Sequence, residues 1–165
     1  MSTAPHWHLL PFSSLSSAQL YAIMQLRVAV FVVEQQCPYQ ELDGKDLDAE
    51  VLHLFAENQG EILAYARVLP PKLSFKEAAI GRIIIAKSAR GTGLGEALMQ
   101  RAMHAAYQCW PNQALRLGAQ VYAAGFYQKM GFVAASDVYL EDDIPHQEMV
   151  ASAEQVAHIA QQYQA

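Results

Sequence analysis

IGRIIIAKSARGTGLGEALMQRAM, residues 80–103, is the stretch on which the fold turns. It opens inside AAIGRIIIA, residues 78–86, a nearly continuous apolar run that predicts a central strand covered on both faces. It closes in a helix, because Leu94, Ala97, Leu98, Ala102, Ala105 and Cys109 recur at helical spacing until Pro111 stops it. Between the two lies Arg90-Gly91-Thr92-Gly93-Leu94-Gly95. Glycines at a strand-to-helix junction let the backbone bend tightly and let a ligand approach the peptide N–H groups. Those N–H groups and the positive end of the following helix suit a pyrophosphate, and Arg90 adds a formal charge at the rim. A tight turn with no ligand is the plainer alternative. Two other phosphate loops are excluded. A Walker A loop needs Lys and Ser/Thr after its last glycine, where Glu96 and Ala97 stand, and a dinucleotide fingerprint meets Glu96 or Leu98 where it needs Gly or Ala.

Outward from this stretch, residues 7–12 predict a short strand, and Ser13, Ser14, Ser16 and Ser17 offer N-caps for a helix over about 18–32. Residues 34–48 are polar, contain Pro38 and Gly44, and predict a long loop of the kind that tends to be functional. Residues 51–56 and 62–69 predict a hairpin turning at Asn58, Gln59 and Gly60. Strands are expected at 114–119 and 132–140, with a helix over about 122–129 that Gly131 terminates, and a helical tail over 151–164. Strands alternating with helices in the second half imply a mixed α/β layer fold.

Composition bounds the function. With 165 residues, 53% of them hydrophobic, the chain can bury one core without disulfides. Cys37 and Cys109 match no zinc or redox spacing and read as thiols of a reducing, cytoplasmic compartment. The opening MSTAPHWHLL lacks the features of a signal peptide, and the apolar run 28–33 is too short to span a bilayer, so no membrane association is expected. A net charge of -5 argues against nucleic acid. The charge is uneven: residues 67–129 hold nine Lys/Arg against two acids, while residues 1–66 and 130–165 are each at -6. A basic middle between acidic flanks suits an anionic cofactor beside a cationic acceptor.

The stretch 80–103 resembles the acetyl-coenzyme A signature of GNAT acyltransferases, Arg-x-x-Gly-x-Gly, met here by Arg90, Gly93 and Gly95. Downstream, LGAQVYAAGFYQKMGF resembles the family segment ending Phe-Tyr-x-x-x-Gly-Phe, met by Phe126, Tyr127, Gly131 and Phe132. LRVAVFVVEQQCPYQELDGKDLD and VYLEDDIPHQEM resemble the ElaA-type branch. The resemblance covers roughly residues 7–150. It implies an α/β (α+β) single-domain GNAT fold over residues 1–150 with a tail at 151–165. Such a fold has a mixed central sheet, helices on both faces and a splayed pair of parallel strands. It also implies acetyl-coenzyme A as acyl donor. The pantetheine arm would lie where Ile83, Ile84 and Ile85 splay from the strand near Leu117, and the pyrophosphate on Arg90, Gly91, Thr92, Gly93, Leu94 and Gly95. Gln120 would stand near the cofactor. By family analogy the domain would be a homodimer. Lys87 departs from the commonest pattern, which has proline ahead of the turn.

Aminolysis of a thioester needs a neutral amine, a site for the carbonyl oxygen as it becomes negative, and a proton for the departing thiolate. A backbone N–H near Ile84 or Ile85 can hold the oxygen. The resemblance puts the acid at Tyr127, against a packing tyrosine as the alternative. The base stays open among Glu34, Glu41, Asp43, His53 and water. The acceptor, a small-molecule or peptide amine, is expected near Arg27, Glu34, His53 and His146. Arg27 and Glu34 lie seven apart and could pair along one helix face. His6 and His8 lack a third metal ligand, and Cys37 lacks an adjacent histidine to make it a nucleophile. A transferase for longer acyl chains and a non-catalytic acyl-coenzyme A sensor are the competing readings; the first rests on a faint resemblance of the Arg27 to Glu34 region to acyl-homoserine lactone synthases.

Overall fold

The computed structural model describes residues 3–163. Met1, Ser2, Gln164, the last residue of the expected tail helix, and Ala165 lie outside the described residues. The elements run β1 (His6–Pro11), α1 (Ser17–Arg27), β2 (Leu52–Asn58), β3 (Glu61–Leu69), β4 (Ala78–Ile85) and α2 (Leu94–Cys109). They continue with β5 (Leu115–Gln120), α3 (Ala124–Lys129), β6 (Val133–Ala134), β7 (Tyr139–Glu141), β8 (Ile144–Ala151) and α4 (Ala153–Gln162). The strands form one mixed sheet in the order β1-β2-β3-β4-β5-β8-β6, with β7 also on β8. Two compact units share these elements: residues up to Arg67 with Arg82–Leu98, and Val68–Gly81 with residues from Met99 onward.

In the first unit, Ser16 caps α1 in a reciprocal box with Gln19, its hydroxyl accepting from the Gln19 N–H at 3.0 Å while the Gln19 side chain accepts from the Ser16 N–H at 2.9 Å. The helix continues as a π-helix over Val28–Glu34. Wider turns recur at functional sites. The run Ser17–Glu34, 18 residues, is long and apolar enough by length and composition to cross a membrane, unlike the six-residue stretch weighed from sequence. Its packing gives it another role. Ile23 is buried against Phe55, Ile62, Tyr65 and Ile84, with Val30 and Phe31 packed beside them, and Arg27 at its centre is buried and ion-paired.

In the second unit, β4 and β5 are parallel for only two residue pairs, Ala78 with Leu115 and Ala79 with Arg116, whereas β5 lies antiparallel to β8 from Leu115 to Gln120. This short parallel pair is the splayed element that the fold class requires. β8 was not anticipated, and the expected strand 132–140 is instead two short pieces, β6 and β7. Asp142 and Asp143 both take left-handed backbone, φ 50 and 63, which makes the two-residue hairpin turn from β7 into β8. The tail is part of this unit. Ser152 caps α4, whose Val156 and Ala160 are buried, and a Cβ built on Gly131 would overlap the Gln155 side chain. Tyr163 lies 5.0 Å from the His104 ring and under the Arg101 guanidinium at 5.2 Å.

Candidate active site

The glycine turn follows a single 3-10 turn at Lys87–Ala89. Gly91 and Gly93 sit at φ 77 and 82, a left-handed region that favours glycine, and a Cβ on either would meet nothing within 4 Å. The backbone angle, not crowding, therefore demands these glycines, and the space beside them is open. Thr92 Oγ1 donates to the Ala89 carbonyl at 2.6 Å and braces the turn. A cleft of about 430 Å³ opens on it, lined by Thr92, Gly93, Leu94, Ala97, Leu63 and Asn58 among others.

Arg90 ties the turn to its neighbours. Its Nε donates to the Ile85 carbonyl at 3.1 Å, and its two terminal nitrogens donate to the two oxygens of Glu34 at 2.9 and 2.8 Å. These hydrogen bonds hold the Glu34 carboxyl below the usual carboxylate range, with the Arg90 and Lys87 charges adding to them. Glu34 is thus the partner of Arg90 and a weak base, and it does not pair with Arg27.

Arg27 belongs to a buried network that fastens the loop between α1 and β2. Its Nε donates to Glu41 at 2.8 Å and its Nη1 to Asp46 at 2.7 Å. Arg67 donates to Asp43 at 2.9 and 2.8 Å and to Asp46 at 3.1 Å, while Arg82 donates to Glu41 at 2.9 Å. Tyr39 donates its hydroxyl to Glu41 as well. Arg82 reaches the network from a left-handed point in β4, φ 52, where the strand departs from regular pleating. Burial would raise the carboxyls of Asp43 and Asp46, but hydrogen bonds and charge from Arg67 and Arg27 hold both low. Three arginines meet three carboxylates, so this part of the acidic flank is spent internally and offers no net charge to an acceptor.

His53 is fully buried at the edge of the network. Its Nε2 lies 3.1 Å from the Asp46 carbonyl, which can only accept, so Nε2 carries the proton and Nδ1 accepts from the Tyr65 hydroxyl at 2.7 Å. Both nitrogens are engaged, and burial lowers the imidazole pKa, opposed by Asp46 and aided by the Arg27 and Arg67 charges. His53 supports the loop and has no lone pair to offer an amine.

In the second unit, Tyr127 is 8% exposed in α3, its ring edge-on to Phe126 and Phe132 at 5.3 and 6.3 Å. Burial, with a smaller contribution from Tyr122, raises its phenol, so the hydroxyl holds its proton across the neutral range. Gln120, at the carboxyl end of β5, stands in register opposite His146 of β8. His146 is 9% exposed; its Nδ1 lies 2.7 Å from the Ile144 carbonyl, its Nε2 faces Glu141 at 3.5 Å, and its ring stacks on Tyr139.

The structure therefore gathers Ile84, Glu34, Arg90 and the glycine turn in one unit, and Gln120, Tyr127 and His146 in the other. Arg67, Asp46 and Tyr39 were missed as partners of Arg27, Glu41 and Asp43. A loop rich in acids is a local signal, but its arginines come from three distant elements.

A glycine turn heading a helix after the splayed strand of a mixed sheet is the arrangement of the GNAT class. A family model described as an acetyltransferase (GNAT) domain matches residues 18–153, and the chain belongs to that family. Among its relatives is the protein ElaA of Escherichia coli, 44% identical over 140 residues, 85% of this chain and 92% of that one. An acyl-CoA N-acyltransferase from Pseudomonas aeruginosa superposes with a TM-score of 0.86 at 45% identity, over 90% of this chain and all of that one. The crystal structure of E. coli ElaA gives 0.85 at 41% identity, over 90% and 99% of the two chains. A CoA-dependent acyl-homoserine lactone synthase, BjaI, gives 0.72 at 14% identity over 96% and 89%, a likeness of fold alone.

Proposed function

We propose that this protein is an N-acyltransferase that uses acetyl-coenzyme A as donor and a small-molecule or peptide amine as acceptor. The observation that carries the reading is the turn at Gly91 and Gly93. Its left-handed backbone and open surroundings present peptide N–H groups at the head of α2, in a chain of the GNAT family. Coenzyme A, when bound, supplies the activated thioester. The residues that fit it are Arg90 to Gly95 for the pyrophosphate and the backbone from Ile83 to Ile85 for the pantetheine arm and the carbonyl oxygen. The amine nitrogen attacks the carbonyl carbon, the C–S bond breaks, and the Tyr127 hydroxyl gives its proton to the leaving sulfur. Its buried, protonated phenol supports that role. A cationic acceptor is favoured by the exposed turn Glu141-Asp142-Asp143, because Glu41, Asp43 and Asp46 of the 35–50 loop are already matched by arginines.

Thermal protection tests the cofactor directly, since a ligand that binds only the folded state stabilises it by mass action. Acetyl-coenzyme A should raise the melting temperature, and ATP and NAD should do so far less. Equal shifts from NAD would remove the assignment.

A further inference from the structure

We propose that His146 is the general base that takes the proton from the acceptor amine, an inference that rests on the acyltransferase reading above. Three features of its setting point to it. The Ile144 carbonyl, 2.7 Å from Nδ1, can only accept, so Nδ1 carries the hydrogen and the lone pair of the neutral ring is on Nε2. Stacking on Tyr139, with ring centroids 6.0 Å apart and planes 23° from parallel, fixes the direction in which Nε2 points. His146 is in register with Gln120, at the carboxyl end of β5. The chain then passes from Gln120 through a single 3-10 turn into α3, the helix that carries Tyr127.

The alternatives are weaker bases for stated reasons. Glu34 is held by Arg90, Glu41 and Asp43 are held by arginines, and both nitrogens of His53 are occupied. His146 also has a partner for the charge it would gain. Glu141 Oε2 lies 3.5 Å from Nε2, so a proton taken there meets a carboxylate. Glu141 and Tyr139 on β7 face the ring, and the uncharged Gln120 on β5 is its register partner.

Nε2 takes one proton from the incoming ammonium and leaves a neutral amine. The amine lone pair forms the C–N bond, the C–S bond breaks, and Tyr127 gives its proton to the thiolate. The second proton shed by the nitrogen restores Tyr127, and imidazolium releases the first to solvent.

The test uses acetyl-coenzyme A with spermidine, an aminoglycoside and a lysine-containing peptide, following thiol release across pH. His146→Asn keeps a donor near the Ile144 carbonyl and removes the base. It should bind acetyl-coenzyme A as the wild type does, lose on the order of 10²-fold in kcat, and lose the acid limb of kcat/KM. His146→Gln, which likewise removes the base, should show the same loss of kcat with acetyl-coenzyme A binding kept, and it serves as the readout if His146→Asn fails to fold. A folded His146→Asn or His146→Gln protein with wild-type kcat overturns the assignment and leaves the acyltransferase reading intact. A wild-type protein that acetyl-coenzyme A protects thermally but that acylates none of these amines overturns both.

Discussion

Arg27→Met removes the centre of the buried network while keeping an unbranched side chain of similar length in α1. The guanidinium is fully buried and bonds Glu41 and Asp46 at 2.8 and 2.7 Å. Breaking a buried ion pair costs about 3–5 kcal/mol, because a charge is left without its partner. Here each carboxylate keeps a second cation, Glu41 from Arg82 at 2.9 Å and Asp46 from Arg67 at 3.1 Å, so the loss belongs at the lower end. Around 3 kcal/mol in a chain of this size lowers the melting temperature by about 6–12 °C. The acid side should change as well. Asp46 is held below its unfolded value, so its contribution is present above that value and lost as pH falls through the folded one. With Arg27 gone the folded Asp46 carboxyl rises toward its unfolded value, so the part of the stability that acid removes through Asp46 should be smaller and its loss complete at higher pH. Thermal melts and urea titrations from pH 7 downward measure both effects. A drop under about 2 °C with an unchanged acid limb would mean that the network does not hold the loop.

Tyr127→Phe keeps the ring packed against Phe126 and Phe132 and deletes the proton. Turnover should fall about 10²- to 10⁴-fold with acetyl-coenzyme A affinity intact, and wild-type turnover under conditions where chemistry limits would take Tyr127 off the catalytic list. Glu34→Gln separates two roles for Glu34: if the carboxylate only engages Arg90, acetyl-coenzyme A should bind more tightly in calorimetry with kcat kept, whereas a fall in kcat alone would make Glu34 the base. Gly93→Asn, which tolerates left-handed backbone, should preserve the fold and weaken thermal protection by acetyl-coenzyme A, since its side chain enters the open space beside the turn; full protection would make that turn structural only. Gly131→Ala should destabilise the protein in a urea titration, because φ is 93 and the new Cβ strikes Gln155 of α4; an unchanged midpoint would mean that the tail does not pack there.

The parts of this fold written in local pattern were legible. The central strand, the glycine turn, the capped first helix and the hairpin from β2 to β3 all follow from short continuous runs of sequence. β8 was not, because Pro145, His146 and Gln147 interrupt the alternation, and its clearest signal is the Asp142-Asp143 turn, whose left-handed backbone is normally announced by Asn-Gly or Asp-Gly. The network around Arg27 was invisible for another reason: Glu41 lies 14 residues away and Arg82 41 residues beyond that. Only the sheet brings them together. Charge asymmetry along the chain was real, yet in the folded protein Arg67, Arg82, Arg90 and Arg116 of the basic middle are all paired with carboxylates. For the site, the turn and Tyr127 came from motif, while the direction of the His146 lone pair depends on a carbonyl two residues away that no composition rule marks.

The most direct measurement is incubation of the protein with acetyl-coenzyme A and the amine panel, with thiol release and product mass followed together. Enzyme-dependent release of coenzyme A thiol matched by an acceptor heavier by one acetyl group is the predicted result. Cofactor binding without release beyond the no-enzyme rate, for every amine tried, would contradict the account and leave a protein that holds acyl-coenzyme A without transferring its acyl group.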